Sequence, residues 1–306
     1  MRKKFGLGGL LALGAAASLA LAGCASGGDT GGDGGDAGGT SGGGGTVTLG
    51  YVAGWTDGES MTYLLKNQLE KLGYTIDVQE LTDNGPLYAA LSKGDVDIYS
   101  SAWPEVTQAE YMDEFGDDIE SLGAYYDNAV LTIAVPSYTD IDSLDELAAN
   151  ADRFGGEIIG IEPGAGLTGV TENAMMPAYG LDGVYTLETS STSAMLTVLG
   201  DAIDKREDVV VTLWRPFWAY SEYDVKDLKD PLGAMGEPEK LHMLGHQGFG
   251  DEHPDIAELI AGIKLSDDAY GALESLVTSD EYEGDPEGAV EAWIAEHGDA
   301  FPTLLK

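Results

Sequence analysis

Three tryptophans stand where the chain leaves predicted β-strands, and their indoles are the side chains with the clearest capacity for chemistry. The strands predicted over residues 46–53, 96–100 and 209–213 are followed by Trp55, Trp103 and Trp214, respectively. The carboxyl ends of parallel strands form the edge at which open α/β sheets bind ligands. Indole faces at such an edge can surround a quaternary ammonium ion, which has no N–H to donate and is attracted to π faces.

A glycine-rich turn supplies chemistry of the opposite sign. The segment Glu162-Pro163-Gly164-Ala165-Gly166-Leu167 follows a strand predicted over residues 158–161 and opens a helix predicted over residues 167–179. The first backbone N–H groups of a helix have no partner within the helix and attract anions. The turn can therefore hold a carboxylate, although glycines in this pattern also serve tight chain reversal alone.

The elements that must position these residues follow an α/β pattern. Apolar residues at helical spacing and short β-branched runs alternate along the chain, which predicts βαβ units in two lobes with a ligand cleft between them. One lobe is expected to comprise residues 46–135 and 241–306, and the other residues 136–240. Trp293 lies on a helix predicted over residues 286–296 and is expected in the core. The other predicted helices cover residues 59–72, 87–92, 107–115, 194–204, 254–264 and 267–278.

The N-terminal residues have the pattern of a secretion signal. Arg2, Lys3 and Lys4 precede an apolar stretch over residues 7–21 that is short and interrupted by glycine. The sequence Leu21-Ala22-Gly23-Cys24 resembles a bacterial lipobox, in which the cysteine is lipidated. We therefore expect a signal peptide over residues 1–23, a lipid at Cys24, and a flexible tether to residue 45, since 12 of residues 25–45 are glycine.

Composition excludes several classes of protein. The 306 residues include 54 Asp and Glu against 15 Lys and Arg, for a net charge of -39, which disfavours nucleic-acid binding. A single cysteine allows no internal disulfide. The histidines, which are His242, His246, His253 and His297, match no metal-site spacing and accompany no nucleophile motif. We expect neither an enzyme nor a bound metal or cofactor.

Four separated segments together resemble the glycine betaine-binding protein family of osmoprotectant ABC importers. They read YVAGW at residues 51–55, GDVDIYSSAWP at 94–104, GIEPGAGL at 160–167 and VVVTLWRPFWAY at 209–220. The resemblance implies the type II periplasmic-binding-protein fold, in which two α/β lobes close on the ligand. It also implies an extracytoplasmic, monomeric protein that delivers a betaine to a membrane permease, here held at the membrane by its lipid.

The resemblance also assigns roles within the site. Trp55, Trp103 and Trp214 would form an aromatic prism around the trimethylammonium group, and the backbone amides of Gly166 and Leu167 would hold the carboxylate.

Some positions depart from the family pattern. Gln108 stands where many betaine binders have a histidine that donates to the carboxylate, and its amide can donate without a charge at any pH. Phe217 replaces another histidine and is expected to be structural.

Asp57 opens an alternative, because it matches an acid that contacts the choline hydroxyl in related choline binders, although it can equally be a helix N-cap. Leu131 stands where those proteins tend to have a fourth aromatic residue. The open alternatives are therefore a choline- or carnitine-binding protein and a surface lipoprotein that docks another macromolecule through its tryptophans.

Overall fold

The computed structural model of the protein describes residues 44–305. The expected signal peptide, the lipid site at Cys24 and all but the last two residues of the expected tether lie outside this range. Across the described residues, no helix combines the length and the apolar character that a membrane crossing requires.

The strands lie close to the positions that the sequence predicts, which also include residues 74–81, 130–135, 185–189 and 241–244. Two additions are the first half of β4 and the short strand β8. The strands are β1 (Thr46–Val52), β2 (Thr75–Leu81), β3 (Ile98–Ala102), β4 (Ile119–Pro136), β5 (Glu157–Ile159), β6 (Thr186–Glu188), β7 (Val211–Arg215), β8 (Val225–Asp227) and β9 (Glu239–His246).

Helices connect the parallel strands and cover the C-terminal part of the chain. They are α1 (Thr56–Lys71), α2 (Asn84–Leu91), α3 (Ala109–Phe115), α4 (Gly166–Val170), α5 (Met176–Ala178), α6 (Thr192–Lys205), α7 (Ala219–Glu222), α8 (Phe249–Glu252), α9 (Pro254–Gly262), α10 (Asp267–Val277) and α11 (Pro286–His297). A π-helical turn over Thr171–Met175 joins α4 to α5. The predicted helix over residues 167–179 is therefore present, but as three short pieces.

The strand order is β2-β1-β3-β9-β4-β7-β5-β6, with β8 paired to β4. Strands β1 to β3 pair in parallel, and so do β5 to β7, which gives two parallel groups on either side of the antiparallel strands β9 and β4. We call the group around β1 to β3, with α1 to α3 and α8 to α11, the first lobe, and the group around β5 to β7, with α4 to α6, the second lobe.

Strand β4 links the two lobes. It pairs with β9 from Ile119 to Ala129 and then with β7 from Val130 to Ala134. The sequence predicts only the apolar stretch from Val130 onward, because the first half of the strand mixes polar and apolar residues around Gly123 without regular alternation and lacks a continuous buried run. The pairing partner thus changes in the middle of one long strand.

The first lobe is closed by helices from both ends of the chain. Buried leucines of α1 pack between the sheet and the C-terminal helices α10 and α11. Trp293 on α11 is fully buried, and its indole Nε1 donates to the carbonyl oxygen of Ala269 at 2.9 Å. Its expected place in the core is confirmed.

Candidate functional site

A small cavity lies between the carboxyl ends of the two parallel strand groups. Its wall contains every residue that the sequence and the family resemblance nominate for ligand binding. The lining residues are Trp55, Asp57, Trp103, Thr107, Gln108, Leu131, Ile161, Ala165, Gly166, Leu167 and Trp214. Residues from distant parts of the chain therefore meet at one site.

Two of the indoles belong to the first lobe. Trp55 is the N-cap residue of α1 and is reached through Gly54, whose φ of +76° turns the chain sharply after β1. Trp103 follows β3 directly, and its indole Nε1 donates to Oδ2 of Asp57 at 3.3 Å. Both rings are less than a tenth exposed, so their faces line the cavity and do not form part of the outer surface.

The third indole comes from the second lobe. Trp214 lies near the end of β7, and its ring centroid is 6.5 Å from that of Trp55 at an interplanar angle of 52°. Phe217 stacks on the outer side of Trp214, with centroids 3.9 Å apart. Tilted rings around one space can present several π faces to a single cation. The stacked phenyl ring holds Trp214 in place, which agrees with the structural role expected for Phe217.

Asp57 is a buried carboxylate in the cavity wall. It is the second residue of α1, whose N-cap residue is Trp55, so the N-cap interpretation is wrong; its Oδ2 accepts from the Ser101 hydroxyl at 2.8 Å and from Trp103. Its Oδ1 is buried without a partner among residues 44–305. Burial raises the pKa of this carboxyl group, although the hydrogen bonds from Ser101 and Trp103 oppose that effect. The site thus contains one acceptor oxygen that a ligand could satisfy.

Gln108 lines the cavity but is also bound into the protein. Its Oε1 accepts from the backbone N–H of Trp103 and from the Tyr88 hydroxyl, both at 2.9 Å. Its Nε2 donates to the Tyr99 hydroxyl at 3.2 Å and to Oδ1 of Asn84 at 3.4 Å. Gln108 therefore fixes the backbone that carries Trp103, and a bond from Nε2 to a ligand would compete with two existing bonds.

The glycine-rich turn faces the first lobe across the cavity. Gly166 and Leu167 are the first two residues of α4, so their N–H groups have no partner within the helix. A Cβ atom built on Gly166 would lie 1.8 Å from the carbonyl oxygen of Thr107. Only glycine allows the two lobes to approach this closely, and the approach brings the turn to the edge of the tryptophan cluster.

Glu239 is a supporting residue that the sequence does not single out. Its carboxylate, at the start of β9, accepts from the backbone N–H groups of Glu105, Val106 and Thr107 at 2.9–3.0 Å, and also from the Thr107 hydroxyl. This carboxylate holds the loop that follows Trp103 against the strands that link the lobes. Sequence spacing gives no sign of it, because the residues are more than 130 positions apart.

Glu274 lies fully buried beside Thr56, the neighbour of Trp55, and provides a test of the local electrostatics. Its Oε1 accepts from the Thr56 hydroxyl at 3.3 Å, and burial, with a smaller contribution from the charge of Asp57, raises its pKa to about 8. The folded state then holds a proton that the unfolded chain releases near pH 4.5. The stabilising effect is complete below that pH and is lost as the pH rises toward 8.

We expect Glu274→Gln to flatten the dependence of unfolding free energy on pH between 5 and 8, by on the order of a few kcal/mol across that range. Urea unfolding at several pH values measures the slope. Glu281→Gln, which removes an exposed carboxylate on the 3₁₀ turn after α10, controls for the general relief of negative charge. Equal slopes in the two variants would contradict the buried-proton interpretation.

Comparison with known proteins places this chain in a family. Residues 45–296 match the family model described as the substrate binding domain of an ABC-type glycine betaine transport system. The chain is 32% identical over 145 residues to the glycine betaine/carnitine transport binding protein of Listeria monocytogenes, a match that spans 46% of each protein. It is 24% identical over 281 residues to the glycine betaine/proline betaine-binding periplasmic protein of Escherichia coli, covering 80% of this chain and 85% of that one.

Solved structures agree with this assignment. The glycine betaine/L-proline-binding protein of the Borrelia burgdorferi ABC transporter superposes with a TM-score of 0.78 at 32% identity, covering 85% of this chain and 97% of that one. The lactococcal OpuAC protein, closed on glycine betaine, gives 0.76 at 29% identity, with 85% and 99% covered. The expected type II periplasmic-binding-protein fold is confirmed. The chain belongs to the family of substrate-binding domains of ABC-type glycine betaine transport systems.

Proposed function

We propose that this protein captures glycine betaine, or a closely related quaternary ammonium osmolyte, and delivers it to an ABC permease in the membrane. The observation that carries the proposal is the convergence of Trp55, Trp103 and Trp214 on one cavity with the N-terminus of α4. The indole faces would surround the trimethylammonium group, and the amides of Gly166 and Leu167 would bind the carboxylate. Chemistry on the ligand forms no part of this role.

The division of the chain supports capture by closure. We propose that the chain crosses from the first lobe to the second on β4, between Ala129 and Val130, where the pairing partner of β4 changes from β9 to β7. It would return to the first lobe near β9. This division is close to the one expected from sequence, with residues 46–135 and 241–306 in one lobe and 136–240 in the other. A ligand bound to both lobes would favour the closed form over the open one.

We further propose that the mature protein is a monomer held outside the cell membrane by a lipid on Cys24. The lipobox and the glycine-rich residues after it support this arrangement. The acidic folded part would remain close to the permease while free to turn on its tether. Labelling with a radioactive fatty acid, and its loss in Cys24→Ser, would test the anchor.

Choline is the second candidate ligand, and Asp57 is the observation that favours it. The unpartnered Oδ1 of this buried carboxylate could accept a hydrogen bond from the choline hydroxyl. Leu131 in the cavity wall leaves one side without an aromatic face. The docking alternative has less support, because each of the three indoles is less than a tenth exposed and offers no surface patch.

Calorimetric titration of the purified chain with glycine betaine, choline, carnitine and proline separates these ligands. We expect glycine betaine to bind at least tenfold more tightly than choline, because only the betaine can use the amides of Gly166 and Leu167. Asp57→Asn should lower the affinity for choline more than that for betaine. The opposite order of affinities would make the protein a choline-binding component, and no binding of any of the four would contradict the proposal.

A further inference from the structure

Glu162 is a buried carboxylate next to the cage, and the proposed ligand contacts leave it without a role. It opens the glycine-rich turn of the second lobe and is only 6% exposed. Its Oε1 accepts from the backbone N–H of Thr192 at 2.8 Å, and its Oε2 accepts from the Thr192 hydroxyl at 2.9 Å. Thr192 is the first residue of α6, so the carboxylate is anchored firmly within its own lobe.

The same carboxylate also binds a tryptophan of the opposite lobe. The indole Nε1 of Trp55 donates to Oε2 of Glu162 at 2.9 Å, across 107 positions of sequence. Trp55 belongs to the first lobe and Glu162 to the second. This hydrogen bond therefore spans the cleft and can exist only when the lobes are together.

Two further hydrogen bonds join the lobes at this turn. The N–H of Gly164 donates to Oδ2 of Asp83 at 3.0 Å, and the Tyr111 hydroxyl donates to the carbonyl oxygen of Gly164 at 2.7 Å. Asp83 and Tyr111 both lie in the first lobe, on either side of β3 in sequence. The turn is therefore bound to the first lobe at Gly164, while Glu162 binds Trp55 in the proposed cage.

The other two indoles are held differently. Trp103 donates its N–H to Asp57 in the same lobe, and Trp214 stacks on Phe217, also in its own lobe. Both of these contacts lie within a single lobe and do not require the lobes to meet. Trp55 is the indole whose N–H finds its charged acceptor across the cleft, so its orientation depends on closure.

We propose that Glu162 is a positioning residue that couples closure of the lobes to completion of the tryptophan cage. This inference rests on the proposed function and adds to it. When the lobes meet, the carboxylate fixes the ring of Trp55 against the bound cation. Hydrogen bonds to a charged group are stronger than neutral ones and strongly directional. The bond forms after the ligand has entered, so its loss should speed dissociation and leave association nearly unchanged.

A double-mutant cycle on the intact chain tests this coupling. Trp55→Phe keeps an aromatic face but removes the N–H, and Glu162→Ala removes the acceptor. We expect Glu162→Ala alone to raise the dissociation rate of glycine betaine about tenfold, the low end of the range for a hydrogen bond to a charged group. In the Trp55→Phe background the same change should have less than about a twofold effect, since its partner is already gone. Stopped-flow tryptophan fluorescence measures both rates.

Controls separate positioning from loss of stability. Asp208 accepts hydrogen bonds from Thr139 and Arg153 within the second lobe, so Asp208→Ala should lower the melting temperature and leave the dissociation rate unchanged. If Glu162→Ala does not fold, Glu162→Gln replaces it in the same cycle, because an amide can present only one acceptor to Thr192 and Trp55.

The possible results are distinct. Equal effects of the Glu162 substitution in both backgrounds would overturn the coupling, since the residue would then act only through Thr192. Unchanged dissociation in Glu162→Ala would overturn it as well. A wild-type chain that binds neither glycine betaine nor choline would instead overturn the proposed function, and the role of Glu162 with it.

Discussion

Trp214→Ala is expected to weaken binding of glycine betaine about 30-fold or more, which corresponds to about 2 kcal/mol. The substitution removes one face of a desolvated cage and leaves a gap between Trp55 and the phenyl ring of Phe217, which now lies 3.9 Å from the indole. A cation held chiefly by π faces has no other group on that side. Calorimetric titration measures the loss directly.

Trp218 provides the matched control for this experiment. It lies four residues along the chain, also contacts Phe217, and does not line the cavity. Trp218→Ala should therefore remove a similar ring from the same region while changing affinity less than about threefold. Equal losses in the two variants would show that disturbed packing around Phe217, and not the cage, is responsible. Unchanged affinity in Trp214→Ala would remove Trp214 from the cage.

Gly166→Ala is expected to prevent full closure and to weaken binding about 100-fold. The new methyl group would lie 1.8 Å from the Thr107 carbonyl oxygen and 2.6 Å from its carbonyl carbon. These are backbone atoms, held in place by the bonds from the loop to Glu239, so they cannot move aside cheaply. Overpacking of this kind costs about 1–3 kcal/mol or more.

The open form should tolerate the same methyl group, since the clash involves the opposite lobe. We therefore expect Gly166→Ala to keep the melting temperature of the ligand-free chain within a few degrees and to lose the stabilisation that ligand normally provides. Gly169→Ala is the matched control in the same helix, because its Cβ would meet only Oε1 of Glu110 at 4.0 Å. Normal binding by Gly166→Ala would contradict the close approach as a condition of closure.

Much of the secondary structure and the candidate site can be predicted from the sequence, because the features that indicate them are local. Strand ends, helix faces and the turn over residues 162–167 follow from short-range patterns. The places of Trp55, Trp103 and Trp214 at strand ends predict them as ligand-binding residues, and all three line the cavity. The sequence does not predict the first half of β4, since polar and apolar residues follow no regular alternation around Gly123 and resemble an irregular loop. The helix after Gly166 was predicted as one element, although a π-helical turn interrupts it.

The hydrogen-bond partners of the polar side chains in the site cannot be predicted from local sequence patterns. Asp57 could be read as a helix cap or a ligand contact, and only the packing of β3 against α1 shows that its Oδ2 is taken by Ser101 and Trp103. Gln108 is expected to donate to the ligand, and only the tertiary structure shows that its amide also donates to Tyr99 and Asn84. Such bonds depend on side chains that meet in space at sequence separations that no pattern records.

By itself, the sequence determined the fold class and the family through its resemblance to glycine betaine-binding proteins. It also predicts the tryptophans of the proposed cage, because tryptophans at strand ends and a glycine-rich helix start have a chemical meaning wherever they are placed. Tertiary structure alone decided how the two lobes meet. The bond from Trp55 to Glu162 and the contact of Gly166 with Thr107 join residues 107 and 59 positions apart. These contacts contribute to stability only when the two lobes meet and water leaves the space between the partners. No single stretch of sequence contains both partners.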